Sequence, residues 1–323
     1  MNRNIRLFPA FIGGCNYFCL SLRQLENNEL KMPKSYGKVC GTRKPDWLKI
    51  KLHKSDAFAE VDRIVKDHSL HTICSSGKCP NKAECWSRRT ATFMILGDVC
   101  TRNCRFCATL TGRPLPPDPA EPQKVAESVR IMGLRHVVLT SVTRDDLPDH
   151  GAAHWAATVS AVRAMNPEAT IELLISDFDA RPDLLDTVIA SKPDIIGHNI
   201  ETVERLTPIV RSKATYATSL CTLQYLAEHG ATAKSGLMVG LGERDEEVVA
   251  ALADLRKAGV RIVTIGQYLR PTEEHYPVAE YVTPQTFERY RQTASEMGFD
   301  FCASAPLVRS SYLADEALQN LRK

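Results

Sequence analysis

The chain has 323 residues, 44% hydrophobic and 24% charged, with 17 Gly and 18 Pro. That is ordinary globular composition and excludes collagen-like, low-complexity and disordered classes. Lys and Arg total 41 against 38 acids, a net charge of +3 with the basic residues spread along the chain. So even a balance argues against nucleic-acid or anionic-membrane partners, and no apolar run reaches the ~20 residues of a bilayer span.

Residues 1–31 read as a separate extension. Its first 25 residues carry Arg3, Arg6 and Arg23 and no acid, with apolar stretches at 7–12 and 17–20. A signal or transit peptide has this character, but the Gly-Gly pair, Cys15, Cys19 and Asn16 interrupt it. An incidental extension, with Met32 as the effective start, is the plainer expectation, and its removal is expected to leave activity unchanged. Residues 32–90 show no regular alternation of elements and form an N-terminal segment.

From residue 91 the pattern changes. Short β-rich apolar runs at 91–96, 136–141, 170–175, 194–199, 233–239 and 261–268 alternate with amphipathic runs at 122–132, 152–165, 182–191, 216–229, 245–258 and 284–297. The strands are apolar enough to be buried on both faces, as parallel strands are. Gly133, Gly230, Gly259 and Gly298 stop four of the helices. Six β-then-α units predict an α/β fold with a parallel sheet and right-handed crossovers. A doubly wound sheet and a partial (β/α)6 TIM-like barrel both satisfy the periodicity, and either puts the chemistry at the carboxyl ends of the strands. Residues 91–298 would form this unit, and 299–323 a C-terminal tail.

Cysteine is the unusual residue. There are eleven, six of them between Cys74 and Cys107. An odd total without a convincing secretory signal argues against a disulfide framework and for metal binding. Cys100, Cys104 and Cys107 form CxxxCxxC directly after the first expected strand. Soft thiolates at this spacing suit zinc or an iron–sulfur cluster, and three rather than four leave one position open. A zinc loop completed by a distant residue is the structural alternative. A second triplet, Cys74-x4-Cys79-x5-Cys85, lies just upstream. Two separate clusters fit better than one pooled six-thiolate zinc site. Cys221 and Cys302 read as buried small hydrophobes, and Cys15, Cys19 and Cys40 have no assigned role.

CxxxCxxC with Phe106 before its last cysteine resembles the radical S-adenosylmethionine superfamily. The pair of triplets resembles the lipoyl synthase family in particular. The likeness extends from Lys44 to Tyr312 and includes KPDWL at 44–48, CPN at 79–81, TATFMILGD at 90–98, TSVTRDDL at 140–147, HNIE at 198–201, KSGLMVGLGE at 234–243, GQYL at 266–269 and RSSY at 309–312. Gly197, Arg89 and Ala305 depart from the residues usual in the family, and none of them is a ligand position.

The resemblance implies that Cys100, Cys104 and Cys107 hold a [4Fe-4S] cluster whose open iron binds S-adenosyl-L-methionine. One electron would cleave that cofactor to methionine and a 5′-deoxyadenosyl radical. Phe106, Asn199 and Glu201 would lie against the cofactor. Phe106 could equally be a core aromatic, Asn199 and Glu201 could be turn residues, and Arg144, Asp145 and Asp146 could fix the cofactor or form a surface turn. Cys74, Cys79 and Cys85 would hold a second, auxiliary [4Fe-4S] cluster as the sulfur source, with a serine of the RSSY motif as fourth ligand. Alignment gives Ser311, and spacing leaves Ser310 open.

The implied reaction inserts two sulfurs at carbons 6 and 8 of an octanoyl group on a lysine of a lipoyl carrier domain, using two S-adenosylmethionines per lipoyl group. The implied partners are octanoylated carrier domains of 2-oxoacid dehydrogenase acyltransferase subunits and the glycine cleavage H protein, with flavodoxin or ferredoxin as electron donor. The location would be cytoplasmic, or the mitochondrial matrix if the N-terminus is a transit peptide. Radical methylthiotransferases also carry two triplets but typically add a distinct upstream domain and an RNA-binding module, neither visible here. A zinc-stabilised binding protein without catalysis is the remaining alternative.

Overall fold

The computed structural model describes residues 44–49, 55–88 and 90–311. The expectations for residues 1–31, Cys15, Cys19, Cys40, Arg89 and Tyr312 lie outside the described residues. After a 3-10 turn at Asp46–Leu48 come α1 (Asp56–Asp67), β1 (His71–Thr72), α2 (Ile73–Ser76), α3 (Lys82–Ser87), β2 (Thr92–Ile95), β3 (Val99–Cys100) and β4 (Leu110–Thr111). Then follow α4 (Glu121–Met132), β5 (His136–Ser141), α5 (Ala152–Met165), β6 (Thr170–Leu174), α6 (Pro182–Ala190), β7 (Ile195–Gly197) and α7 (Thr207–Val210). The described chain ends with α8 (Tyr216–Glu228), β8 (Ala233–Val239), α9 (Asp245–Lys257), β9 (Ile262–Gln267), α10 (Pro284–Glu296) and β10 (Phe301–Ser304).

All six expected strands and six expected helices form. The sheet has eight strands, in the order β1-β2-β5-β6-β7-β8-β9-β10. Its seven strands from β2 onward are parallel, and only β1 runs antiparallel to its neighbour. A doubly wound sheet reverses direction at a switch point, so its spatial order differs from its chain order. Here spatial order follows chain order throughout, which is the singly wound course of a partial barrel. The sequence reading missed β1, whose two residues are too short to register as a period, while β10 falls on the strand-like run around Cys302.

Strands β2 and β9 are buried at every position, as expected where helices cover one face and the barrel interior the other. Helix ends follow local chemistry. Thr215 and Thr283 accept hydrogen bonds from the first-turn amides of α8 and α10, and Gly133 ends α4 at φ 62°.

Two buried polar groups tie the strands together. Lys234 on β8 donates to Glu172 on β6 at 2.6 Å, with both side chains nearly inaccessible. Burial alone would raise the Glu172 pKa, but the Lys234 charge and His136, 3.7 Å away, pull it below the usual carboxylate value. His198 follows β7. Its Nδ1 donates to the Ile175 carbonyl at 3.0 Å, and its Nε2 lies 3.0 Å from Ser219 Oγ on α8. Burial, reinforced by the Arg211 charge, lowers its pKa to about 4, so it stays neutral near pH 7.

Replacing one member of a buried pair strands the other charge, at a cost of about 3–5 kcal/mol. Lys234→Met is therefore expected to lower the urea midpoint by that equivalent, and an unchanged midpoint would refute the pairing. For His198 the folded pKa lies below the unfolded value of about 6.5, so the unfolded chain binds more protons between pH 6.5 and 4. Stability should be full above pH 6.5 and decline as pH falls toward 4, by at most about 3 kcal/mol. Urea titrations at several pH values should show this slope flattened in His198→Gln.

Candidate active site

The loop from Cys100 to Cys107 leaves the carboxyl end of the sheet immediately after β2. It is stapled from three directions. Thr101 N donates to the Thr143 carbonyl at 3.1 Å, and Asp145 N donates to Thr101 Oγ1 at 3.1 Å. Asn103 N donates to Ser212 Oγ at 3.1 Å and Arg105 N to the Val210 carbonyl at 2.8 Å. Tyr276 N donates to the Arg105 carbonyl at 2.8 Å, and the Cys107 carbonyl lies 2.9 Å from His275 Nε2. Two amides, those of Arg102 and Thr143, point at Cys100 Sγ from 3.4 and 3.3 Å. Amide donors of this kind orient a sulfur ligand.

Between the first two cysteines, Arg102 turns inward and is only 8% exposed. Its guanidinium forms a two-pronged bond with Asp145 (2.9 and 2.8 Å) and reaches Asp177 at 2.8 Å and Asp179 at 3.2 Å. The cluster joins the loops following β2, β5 and β6. Burial would raise the Asp177 pKa, but Arg102 outweighs it and holds the carboxyl at about 2. Phe178, Asp179 and Ala180 carry φ values of 46, 50 and 52°, a left-handed turn costing about 1–2 kcal/mol per residue. That turn delivers Asp179 to Arg102 and Lys213. Asp145, His150 and Asp179 also lie close enough to hold a cation, but Arg102 and Lys213 already neutralise both carboxylates. Arg144 is not a surface residue. It is 1% exposed, grips Asp146, and donates to the Leu96 carbonyl at 3.2 Å.

A cavity of about 350 Å³ opens at this end of the sheet. Cys100, Cys104, Phe106, Cys107, Asn199 and Glu201 all line it. Phe106 also packs against the core. Glu201 sits in the left-handed region at φ 68°, with its backbone locked by Gly236 and Met238. Burial raises its pKa, partly opposed by Arg211. Arg211 also lines the cavity and donates to Ser219 Oγ at 2.8 Å.

A second cavity, about 170 Å³, is lined by Cys74, Cys79 and Cys85 with Thr92, Arg309, Ser310 and Ser311. Ile73, Gly77, Leu174, Arg309 and Ser310 line both cavities, so the two share a wall. The tail reaches this wall along β9. Pro306 accepts from Gln267 N at 3.2 Å, and a Cβ on Gly266 would lie 2.1 Å from the Val308 carbonyl. Only glycine permits that approach. Asn81 Nδ2, two residues past Cys79, donates to the Leu307 carbonyl at 2.7 Å. The two serines point to different places. Ser310 Oγ accepts from Asn199 at 2.7 Å, and Ser311 Oγ accepts from Thr92 at 2.9 Å.

The geometry thus gathers every expected site residue into two adjoining cavities. Arg102, Asp177, Arg211, Thr92 and Arg309 were not singled out from sequence. Arg102 and Arg309 sit inside recognised motifs, whereas Asp177 carries no local signal. The donor sets fit iron–sulfur clusters. Each cavity has three unbridged cysteines, soft ligands suited to iron. Burial, then Cys74 and Cys79, push the Cys85 thiol up to about 12, and burial also raises Cys79 and Cys107. Thiolates packed this closely need a cationic group to be stable together. Cys302, also pushed up to about 12 by burial, packs against the core.

Comparison with known proteins gives a concordant result. A family model for the radical SAM superfamily matches residues 94–255. Lipoyl synthase of Parabacteroides distasonis is 58% identical over 274 residues, covering 85% of this chain and 98% of the relative. Lipoyl synthase of Phocaeicola vulgatus is 57% identical over 277 residues, covering 86% and 98%. Among solved structures, methylornithine synthase superposes with a TM-score of 0.52 at 13% identity, over 76% of this chain and 70% of that one, a likeness of fold alone. The family implies a [4Fe-4S] cluster and S-adenosylmethionine as cofactors. The chain belongs to the lipoyl synthase family of radical S-adenosylmethionine enzymes.

Proposed function

We propose that the chain inserts two sulfur atoms at carbons 6 and 8 of an octanoyl group carried on a lysine of a lipoyl carrier domain. The shared wall between the two cysteine cavities carries this reading. A site that abstracts hydrogen and a site that delivers sulfur must reach the same alkyl chain, and proximity of this kind is worth a large share of the barrel's catalytic power. Identity of 57–58% to lipoyl synthases over nearly their whole length sets the methylthiotransferase alternative aside.

Cys100, Cys104 and Cys107 would hold the first cluster, and Cys74, Cys79, Cys85 and Ser311 the second. With S-adenosylmethionine bound, the first cluster supplies an oxidising carbon-centred radical able to take hydrogen from an unactivated C–H bond. The protein's part is position and exclusion of water. Phe106, Asn199 and Glu201 would flank the cofactor, while Arg102 and its carboxylates keep the cysteine loop in place. Leu174, Ile175 and Met238 give the larger cavity apolar surface for an alkyl chain. Ser311 is preferred to Ser310 as the fourth ligand because Ser311 lines only the smaller cavity, whereas Ser310 lines both.

On this reading residues 32–90 are the auxiliary-cluster segment, 91–298 the catalytic barrel and 299–323 the tail bearing the serine. Each lipoyl group consumes two S-adenosylmethionines. The substrates are octanoylated acyltransferase subunits or H protein, the donor is a flavodoxin or ferredoxin, and the compartment is the cytoplasm. No helix among the described residues is long and apolar enough to cross a membrane.

Anaerobically reconstituted protein should carry about eight irons per chain. Incubated with S-adenosylmethionine, reductant and an octanoyl-lysyl peptide, it should add two sulfurs and remove two hydrogens, read by peptide mass. Formation of 5′-deoxyadenosine with an unmodified peptide would reject the substrate and keep the radical chemistry. No cleavage in protein bearing both clusters would reject the reading altogether. Cys104→Ala should abolish 5′-deoxyadenosine formation. Cys79→Ala should still form it but transfer no sulfur, and sulfur transfer by that variant would remove the second triplet from the mechanism.

A further inference from the structure

Thr92 lies on β2, inside the barrel wall, and is 4% exposed. Its side chain lines the smaller cavity with the three cysteines. The hydroxyl donates to Ser311 Oγ at 2.9 Å, its one hydrogen-bond partner among the described residues. Strand β2 is fixed on both sides, by β1 and β5, with Thr92 itself in register with Val138. The donor therefore sits on a strand paired along both edges, and the acceptor on the tail that follows β10.

We infer that the Thr92 hydroxyl sets how firmly Ser311 holds the auxiliary cluster, by donating a hydrogen bond to the ligating oxygen and so keeping that ligand exchangeable. The inference rests on the proposed role of Ser311. A serine oxygen that ligates iron has surrendered its proton and offers only lone pairs. The hydrogen in the Thr92–Ser311 contact must then come from Thr92. A hydrogen bond to an anionic oxygen is stronger than one between neutral groups, and it draws electron density away from the oxygen–iron bond. Thr92 reaches Ser311 and not Ser310, whose oxygen accepts from the Asn199 amide instead. Thr92 is thus a positioning residue: it touches the ligand and not the substrate.

Valine matches threonine in shape and lacks the donor, and serine keeps the donor without the methyl group. In holoprotein carrying both clusters, iron release to a ferrous chelator should show a component assigned to the auxiliary cluster by its absence in Cys79→Ala. Thr92→Val should slow that component about tenfold, the worth of one hydrogen bond to a charged group, and Thr92→Ser should restore it. A second readout is independent of rates. The reduced auxiliary cluster should show a magnetic coupling to one solvent-exchangeable proton, present in the parent protein and in Thr92→Ser and lost in Thr92→Val. Unchanged or faster release in Thr92→Val, or a persisting coupling, would overturn the inference. If Ser311→Ala leaves both release and coupling as in the parent protein, the serine-ligand reading itself fails and the inference falls with it. If Ser311→Ala changes them and Thr92→Val does not, only the role of Thr92 is rejected.

Discussion

A guanidinium buried among three carboxylates organises the reactive end of this barrel. Arg102 occupies the middle of the cysteine loop, and Asp145, Asp177 and Asp179 come from loops that leave two other strands. A loop of eight residues carrying three cysteines has many conformations, most of them useless for gathering thiols at one point. Withdrawing an arginine from water is costly unless each donor is met, so the loop is stable in the one arrangement that satisfies the fork. The left-handed turn at Phe178–Ala180 shows how strongly this arrangement is favoured, since three non-glycine residues hold an adverse backbone to complete it.

Much of the fold was legible because the relevant signals are local. A parallel strand shows as a short apolar run, a helix as a longer amphipathic one, and a cysteine triplet needs only spacing. The choice between barrel and doubly wound sheet was not legible, because strand order is a property of space and not of periodicity. The partners of Arg102 lie 43 and 77 residues away for Asp145 and Asp179, and an aspartate in a loop looks the same whether or not an arginine faces it. The TRDDL stretch illustrates the limit. Read locally it could be a surface turn, but Arg144 is wholly buried and Asp145 completes the Arg102 cluster. The two serines of the tail are neighbours in sequence with identical chemistry, and their separate donors, Asn199 and Thr92, and the cavities they line distinguish them.

The two cavities are built on different principles. The larger one uses the carboxyl ends of consecutive strands, the part of a barrel that tolerates varied loops without loss of the scaffold. The smaller one is assembled from four separate pieces: the α2–α3 segment, the start of β2, Leu174 at the end of β6 and the tail. Neither the segment nor the tail has a core of its own. The segment buries Cys74 and Trp86 in the main core of the barrel, and the tail is held by the Asn81–Leu307 contact and the close seating of Val308 against Gly266. The barrel thus carries side by side a cavity built on its own strand ends and one completed by segments outside its repeating β-α units.

The span of that compartment along the chain has a consequence for biosynthesis. Asn81 and Leu307 are 226 residues apart, and the contact between them closes the second cavity. A chain still being made has its first cysteine triplet complete long before residues 306–311 leave the ribosome. During that interval the triplet cannot assume its final environment, and contacts this distant in sequence form slowly even in a finished chain. Arg309 and Ser310 line the larger cavity as well, so neither triplet reaches its final surroundings until the end of the chain has been added.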